Sequence, residues 1–308
     1  MSQFESINAG PSTLRETAER SFETPGPVSL HVENAAGSVA ISTHEVARTE
    51  IRLVSLHPSA DGLVKTARIG ERLAASGHEI TVEVQKSWTK RALFSSGAGV
   101  AVEVRVPNDT ALEIFTASAS VTAQGGYRAA DVNSASGDIA IEKTVGPAKV
   151  RTAGGSVELG NVSEANVNSA SGDVTIAVAT AGGKISTASG DIELGRAEDV
   201  TSLRSASGDV RIKEALKGAS VETVSGDQHI ELASGGDYVL RAVSGDITVA
   251  IAPGSLVRIE AASVSGEVRS EIDLEASRDA AGGPSDAREL SVKVKTVSGD
   301  ISVVRAAS

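Results

Sequence analysis

Apolar and polar residues alternate with period two through most of the chain after residue 28. Val28-Ser29-Leu30-His31-Val32, Thr49 to Leu56, His78 to Gln85 and Val100 to Val106 each place every second side chain on one apolar face, as a half-buried strand requires. Asp61 to Ala75 departs from this pattern. Leu63, Val64, Ala67, Leu73 and Ala74 fall at helical spacing, and Gly77 stands where a helix would stop, which predicts one helix inside the folded body.

Beyond about residue 116 a longer period is laid over the alternation. Ser-Gly-Asp, or a close variant, returns about every eighteen residues, at Gly137, Gly172, Gly190, Gly208, Gly226 and Gly245, then at Gly266 and Gly299. Gly155 fills the gap after Gly137, and Ala119 continues the register backwards. Alignment on this glycine yields three aliphatic columns. One stands five residues before it (Val132, Val150, Val167, Ile185, Leu203, Val221), one two residues after (Ile139, Val157, Val174, Ile192, Val210) and one four after (Ile141, Leu159, Ile176, Leu194, Ile212). A Ser/Thr column three before the glycine, from Ser134 to Thr296, is followed at once by an Ala/Val column from Ala135 to Val297. Both are expected to point inward, with a bend between them.

Each repeat therefore reads as a strand, a corner at Ser-Gly-Asp, a second strand and a return loop. The predicted fold is all-β: a parallel β-solenoid (β-helix) of ~18-residue Ser-Gly-Asp coils, with a strand-rich N-terminal cap containing one short helix. Antiparallel hairpins turning at Ser-Gly-Asp are the competing arrangement. A hexapeptide helix is disfavoured because the position six after Val132 is Asp138, and a nonapeptide calcium array because its glycine-rich motif is missing. The expected divisions are a flexible N-terminal tail over 1–27, the cap and first strands over 28–115, and the solenoid over 116–308 with a surface insertion over 275–289.

Composition narrows the chemistry. Aromatic residues are 2% of the chain, so the interior is filled by Val, Ile, Leu and Ala. A net charge of −11 opposes nucleic-acid binding, which needs clustered Lys and Arg. With no cysteine, disulfides, zinc-thiolate sites and thiol nucleophiles are ruled out. The N-terminal stretch lacks a signal-peptide core and no segment is apolar enough to span a bilayer, so the expectation is a cytoplasmic chain, with envelope association as its membrane-linked variant and no direct insertion.

No catalytic constellation is found. His31, His44, His57, His78 and His229 are scattered, and Ser-Gly-Asp lacks the strand-to-helix setting of a hydrolase elbow. No cofactor is expected. The one metal reading is a calcium ladder along Asp138, Asp173, Asp191, Asp209, Asp227 and Asp246; against it, one carboxylate per coil supplies few of the six to eight oxygens calcium takes. The alternative is that each Asp caps its own turn.

The repeat Asn133-Ser134-Ala135-Ser136-Gly137-Asp138-Ile139 and the entry Val104-Arg105-Val106-Pro107-Asn108-Asp109, leading to Leu112-Glu113-Ile114, resemble a bacterial domain-of-unknown-function family of β-strand repeats labelled "putative adhesin". The resemblance runs from Val28 to Val304. It implies a β-solenoid with no known enzymatic activity and no catalytic residues to carry over. The expected function is a non-catalytic, adhesin-like scaffold presenting a rigid flat surface to a protein partner. Its selectivity would lie in outward positions such as Asn133, Arg151, Asn168, Arg204, Glu222 and Arg241. A polysaccharide-binding or -cleaving β-helix and a self-assembling, filament-forming solenoid are the alternatives.

Overall fold

The computed structural model describes residues 16–84, 99–272 and 289–306. Alternation becomes burial directly: in Val100–Pro107, Val100, Val102, Val104 and Val106 are buried while the residues between them face outward. Pairing through the repeats is parallel, which excludes the hairpin arrangement. Val150 pairs with Val132 on one side and Val167 on the other, and the row continues through Ile185, Leu203, Val221 and Leu240. The strands after the glycine form a second row, Ile139, Val157, Val174, Ile192, Val210, Gln228 and Ile247. These rows belong to two layers that enclose a single continuous aliphatic core. Ile139–Gly154 and Val157–Ser171 are long enough to turn a return corner and join one layer to the other.

The return corners are narrow in mid-stack, where buried Ala148, Ala165, Ala197, Ala215 and Ala233 lie. Near the two ends buried tyrosines fill them. The Tyr127 hydroxyl donates to the carbonyls of Ile41 and Gln124, and that of Tyr238 donates to Ala215 while accepting from Ser234 N–H. A buried phenol satisfied in this way contributes its ring to the core without an orphaned polar atom. Gln228 stands in an otherwise aliphatic row. Its amide nitrogen donates to Thr223 Oγ1 at 2.8 Å and to the Arg241 carbonyl at 2.7 Å.

Spatial order departs from chain order at both ends. Val28–Asn34 lies between Gly77–Val84 and Ala111–Thr116 in the stack, and Gly37–His44 between Val100–Pro107 and Ser120–Tyr127. At the other end 289–305 is threaded between 236–251 and 256–270, so the last coil in sequence is not the last in space. The N-terminal end is closed by antiparallel strands: Arg48–Ser55 on Val100–Pro107, Thr17–Glu23 outside it, and Arg68–Ala74 on Gly77–Val84.

Two expectations are corrected here. Thr17–Glu23, expected within a flexible tail, is a strand in full register with Arg48–Val54, and Thr24 is buried with its hydroxyl on Thr49. The helix covers only Asp61–Thr66, because Ala67 is extended (φ −60°, ψ 142°) and 68–74 becomes a strand. Gly77, read as a helix stop, has φ 123° in the hairpin that reverses the chain. The short helix and the 3-10 turn Pro58–Ala60 before it still have a core role: Val64 of the helix and Ala60 of the turn are buried at the N-terminal end of the stack. Of the expected tail and insertion, residues 1–15 and 273–288 lie outside the described residues.

Gly208 has φ 137°, and a Cβ there would overlap the carbonyl of Gly190 in the adjacent coil, whereas Gly62 has open space around it. Gly208→Ala is expected to lower unfolding free energy by roughly 2 kcal/mol or more, while Gly62→Ala is neutral or stabilising by up to about 1 kcal/mol. Urea titration of both variants measures this, and equal effects would contradict the close approach.

Candidate functional site

From Gly172 onward three bonds tie each corner to the next one in space. Between the corners at Gly190 and Gly208, Gly190 N–H donates to the Ser207 carbonyl (3.1 Å), Ile192 N–H to the Asp209 carbonyl (2.9 Å), and Asp209 N–H to Asp191 Oδ1 (2.8 Å). The carboxylate bond repeats from Asp173 to Asp191, Asp209 to Asp227 and Asp227 to Asp246. It then follows space rather than sequence: Asp246 accepts from Asp300, and Asp300 from Glu267. Asp138 accepts from Ser156 N–H, and the ladder is interrupted there because Ser156 has no carboxylate to offer Asp173.

The reading in which each Asp caps its own turn is therefore corrected. Each carboxylate satisfies the backbone of the neighbouring coil, because the glycine lets the coils come close enough for a short side chain to reach across. Asp138, Asp173, Asp191, Asp209, Asp227 and Asp246 stand in one row, one per coil. Among the described residues no three His, Cys, Asp or Glu side chains converge as metal ligands.

Beside this row the two small-residue columns separate. Thr152, Ser169, Thr187, Ser205 and Thr223 are buried, several of them bonded to corner carbonyls, as Thr187 Oγ1 is to Ser189 (3.1 Å). The Ala/Val column, expected inward, points outward: Val224 is 56% exposed and Val264 83%. No bend is needed, since strand alternation simply continues to the corner. In the early coils this column is alanine, leaving an open groove of about 740 Å³ bordered by Phe115, Asn133, Arg151, Asn168 and Ser186, with Ala170 and Ala188 lining it. In the late coils valine replaces alanine, giving an exposed row of Val224, Val243, Val297 and Val264.

The six outward positions expected to vary lie on this one face. Arg151 donates to Asn133 and Asp131, both at 3.3 Å, and Glu222 bridges Arg204 (3.0 Å) and Arg241 (3.4 Å). Such exposed pairs add little stability, but they fix where charges stand. One cluster was hidden from the sequence. His31 Nδ1 lies 3.0 Å from Glu113, its Nε2 3.2 Å from Glu33, and its ring packs against Phe115 with centroids 5.5 Å apart. These residues meet because Val28–Asn34 pairs with Ala111–Thr116 across 82 residues between His31 and Glu113. The shared alternation of the two segments was the only available signal. Partial burial disfavours the charged ring, but the hydrogen bonds and charges of Glu113 and Glu33 together outweigh it and hold the His31 pKa above the ordinary 6.5.

Two parallel layers, a ladder of corners and an open outer face define a repeat protein of β-solenoid-like class. The chain belongs to the Toastrack DUF4097 family, whose model matches residues 30–304. Similar solved structures include a "putative adhesin" from Bacteroides fragilis, at 13% identity over 94% of this chain and 97% of that one (TM-score 0.43). A "putative lipid binding protein" from Parabacteroides distasonis is similar at 11% identity, with coverage of 94% and 97% (TM-score 0.40). A "putative cell adhesion protein" from Clostridium sporogenes is similar at 12%, with coverage of 95% and 100% (TM-score 0.29). No curated protein matches significantly in sequence.

Because the His31 pKa is raised on folding, the stability it contributes is fully present below about pH 6.5 and is lost as pH rises through the higher folded value. The difference in unfolding free energy between the native chain and His31→Gln should therefore shrink from pH 5.5 towards neutral and alkaline pH. Denaturant titrations across that range measure it; a difference that is flat or grows with pH contradicts the assignment.

Proposed function

We propose that this chain is a non-catalytic scaffold in which each Ser-Gly-Asp repeat of about eighteen residues contributes one coil, and in which the outer face before the corner is displayed to a protein partner. One observation carries this reading. Asn133, Arg151, Asn168, Arg204, Glu222 and Arg241 stand in a single row, with Ser186 between Asn168 and Arg204, held at the ~4.8 Å spacing of paired strands, and differ in charge from coil to coil. A rigid row of this kind binds without the cost of ordering itself, so modest contacts suffice for recognition. The ladder carboxylates are each turned to a neighbouring backbone N–H, which supports a structural role for them rather than acid or base chemistry.

A polysaccharide ligand is the second reading, favoured by Phe115, which is 38% exposed at one end of the groove and paired with Asn133. An apolar ring with an amide on one side and the Glu33 carboxylate on the other suits the face and hydroxyls of a sugar.

Charge reversal separates the readings. The triple variant Arg151→Glu, Arg204→Glu, Arg241→Glu is expected to lose the partner captured by the native chain in cross-linking from the source cell. The control Arg196→Glu, Arg211→Glu, on the strands after the corner, is expected to retain it. All three proteins should unfold within about 1 kcal/mol of one another. Equal capture by all three proteins would contradict the display face, and selective retention of an oligosaccharide that is lost on Phe115→Ala would favour the second reading.

A further inference from the structure

The two ends of the stack are finished differently. At the N-terminal end the core is covered by Ala60 and Val64 of the helical segment, and the edge strands there carry Glu19, Arg20 and Glu23, and Arg68, Glu71 and Arg72. At the other end Leu256–Ser265 is an edge strand paired only with Glu289–Ser298 among the described residues. Its inward side chains Val257, Ile259 and Ala261 are only partly buried against the core. A ten-residue edge of this kind, with half-covered aliphatic side chains, is a template for pairing with another strand.

We infer that this edge is an interface between two copies of the chain, closed by a two-fold axis that pairs Leu256–Ser265 with itself in antiparallel register centred on Ile259. An axis perpendicular to the sheet brings residues i and j into opposition only when both lie on the same face, so the centre must fall on a residue. Centring on Ile259 sets Arg258 opposite Glu260 of the second copy, twice over, Val257 opposite Ala261, and Ile259 opposite itself. Centring on Arg258 or on Glu260 sets like charges against each other. Centring on Val257 or Ala261 leaves both charges facing apolar residues or the chain beyond the strand. One register therefore satisfies charge and apolar matching together.

Arg258 and Glu260 are available for it, with side chains 80% and 50% exposed and 3.5 Å apart, Glu260 also lying 4.0 Å from Lys293. The N-terminal edge strands offer no equivalent at their centres: centring Arg68–Ala74 on Gly70 opposes Arg68 to Arg72 and on Glu71 opposes that carboxylate to itself, while centring Thr17–Glu23 on Glu19 or Arg20 opposes each to itself and on Ser21 opposes Glu19 to Glu23. One self-complementary end and one covered end make a closed dimer rather than a filament.

The test is sedimentation velocity on the full chain over a concentration series. The native protein is expected to form dimers and nothing larger. Arg258→Glu alone and Glu260→Arg alone, which set like charges across the axis, should each weaken dimerisation by at least about tenfold. The double variant Arg258→Glu, Glu260→Arg should restore it. Since the chain has no cysteine, Ile259→Cys should give a covalent dimer on mild oxidation. A native chain that stays monomeric at high concentration, one that grows beyond dimers, or a dimer indifferent to both single reversals overturns the inference.

Discussion

Close approach of backbones at the Ser-Gly-Asp corner is the constraint on which the rest of the structure depends. Neighbouring strands in a parallel sheet stand ~4.8 Å apart. At the corner that spacing must hold while the chain reverses, which brings the glycine of one coil against the carbonyl of the glycine in the adjacent one. Gly172, Gly190, Gly208, Gly226, Gly245 and Gly299 all have φ between 128° and 142°, and each would place a Cβ on that carbonyl. Only glycine meets both demands. Once it does, the aspartate that follows is near enough to accept from the next backbone, and the two layers come into register without slippage. Aliphatic burial supplies most of the driving force, at about 1.5–3 kcal/mol for each fully buried Val, Leu or Ile. The corner bonds, on the order of 1 kcal/mol each, decide which residues are stacked on which, because a one-residue slip would turn every core side chain to solvent.

The same constraint accounts for the ends. The coil at 289–305 carries its own Ser-Gly-Asp corner, so it can enter the stack wherever that corner finds a carboxylate below and a backbone N–H above. It does so between Asp246 and Glu267. Chain order is thus a weaker determinant of position than corner chemistry. At the opposite end 28–44 has no full motif, and the place of Val28–Asn34 between Gly77–Val84 and Ala111–Thr116 is set by matched apolar faces such as Leu30 against Ile80 and Leu112.

Much of this was legible in the sequence. The columns led by Val132, Ile139 and Ile141 are core, and the pairing is parallel, because a strict period with a fixed glycine admits few other packings. The outward turn of Val224 and Val264 was misread, since apolar character alone does not reveal face; the buried Ser and Thr beside them show that alternation outranks hydrophobicity so near a corner. The helical spacing of Leu73 and Ala74 misled for a similar reason: an edge strand paired on one side tolerates residues that also suit a helix, and Leu73 is mostly exposed. The meeting of His31, Glu113 and Phe115 could not be read from the repeat period, because it arises from a segment threaded out of sequence order.

Amide hydrogen exchange at the corners tests the central claim most directly. All these amides sit at a solvent-facing edge, yet the ladder divides them. Asp191, Asp209, Asp227, Asp246 and Asp300 donate to a carboxylate of the neighbouring coil, whereas Asp138 and Asp173 follow coils that carry Ser120 and Ser156 at that position. The first group should exchange at least about fivefold more slowly than the second under native conditions. Uniform exchange across both groups would mean that the carboxylates do not hold the corners, and that core packing alone sets the register.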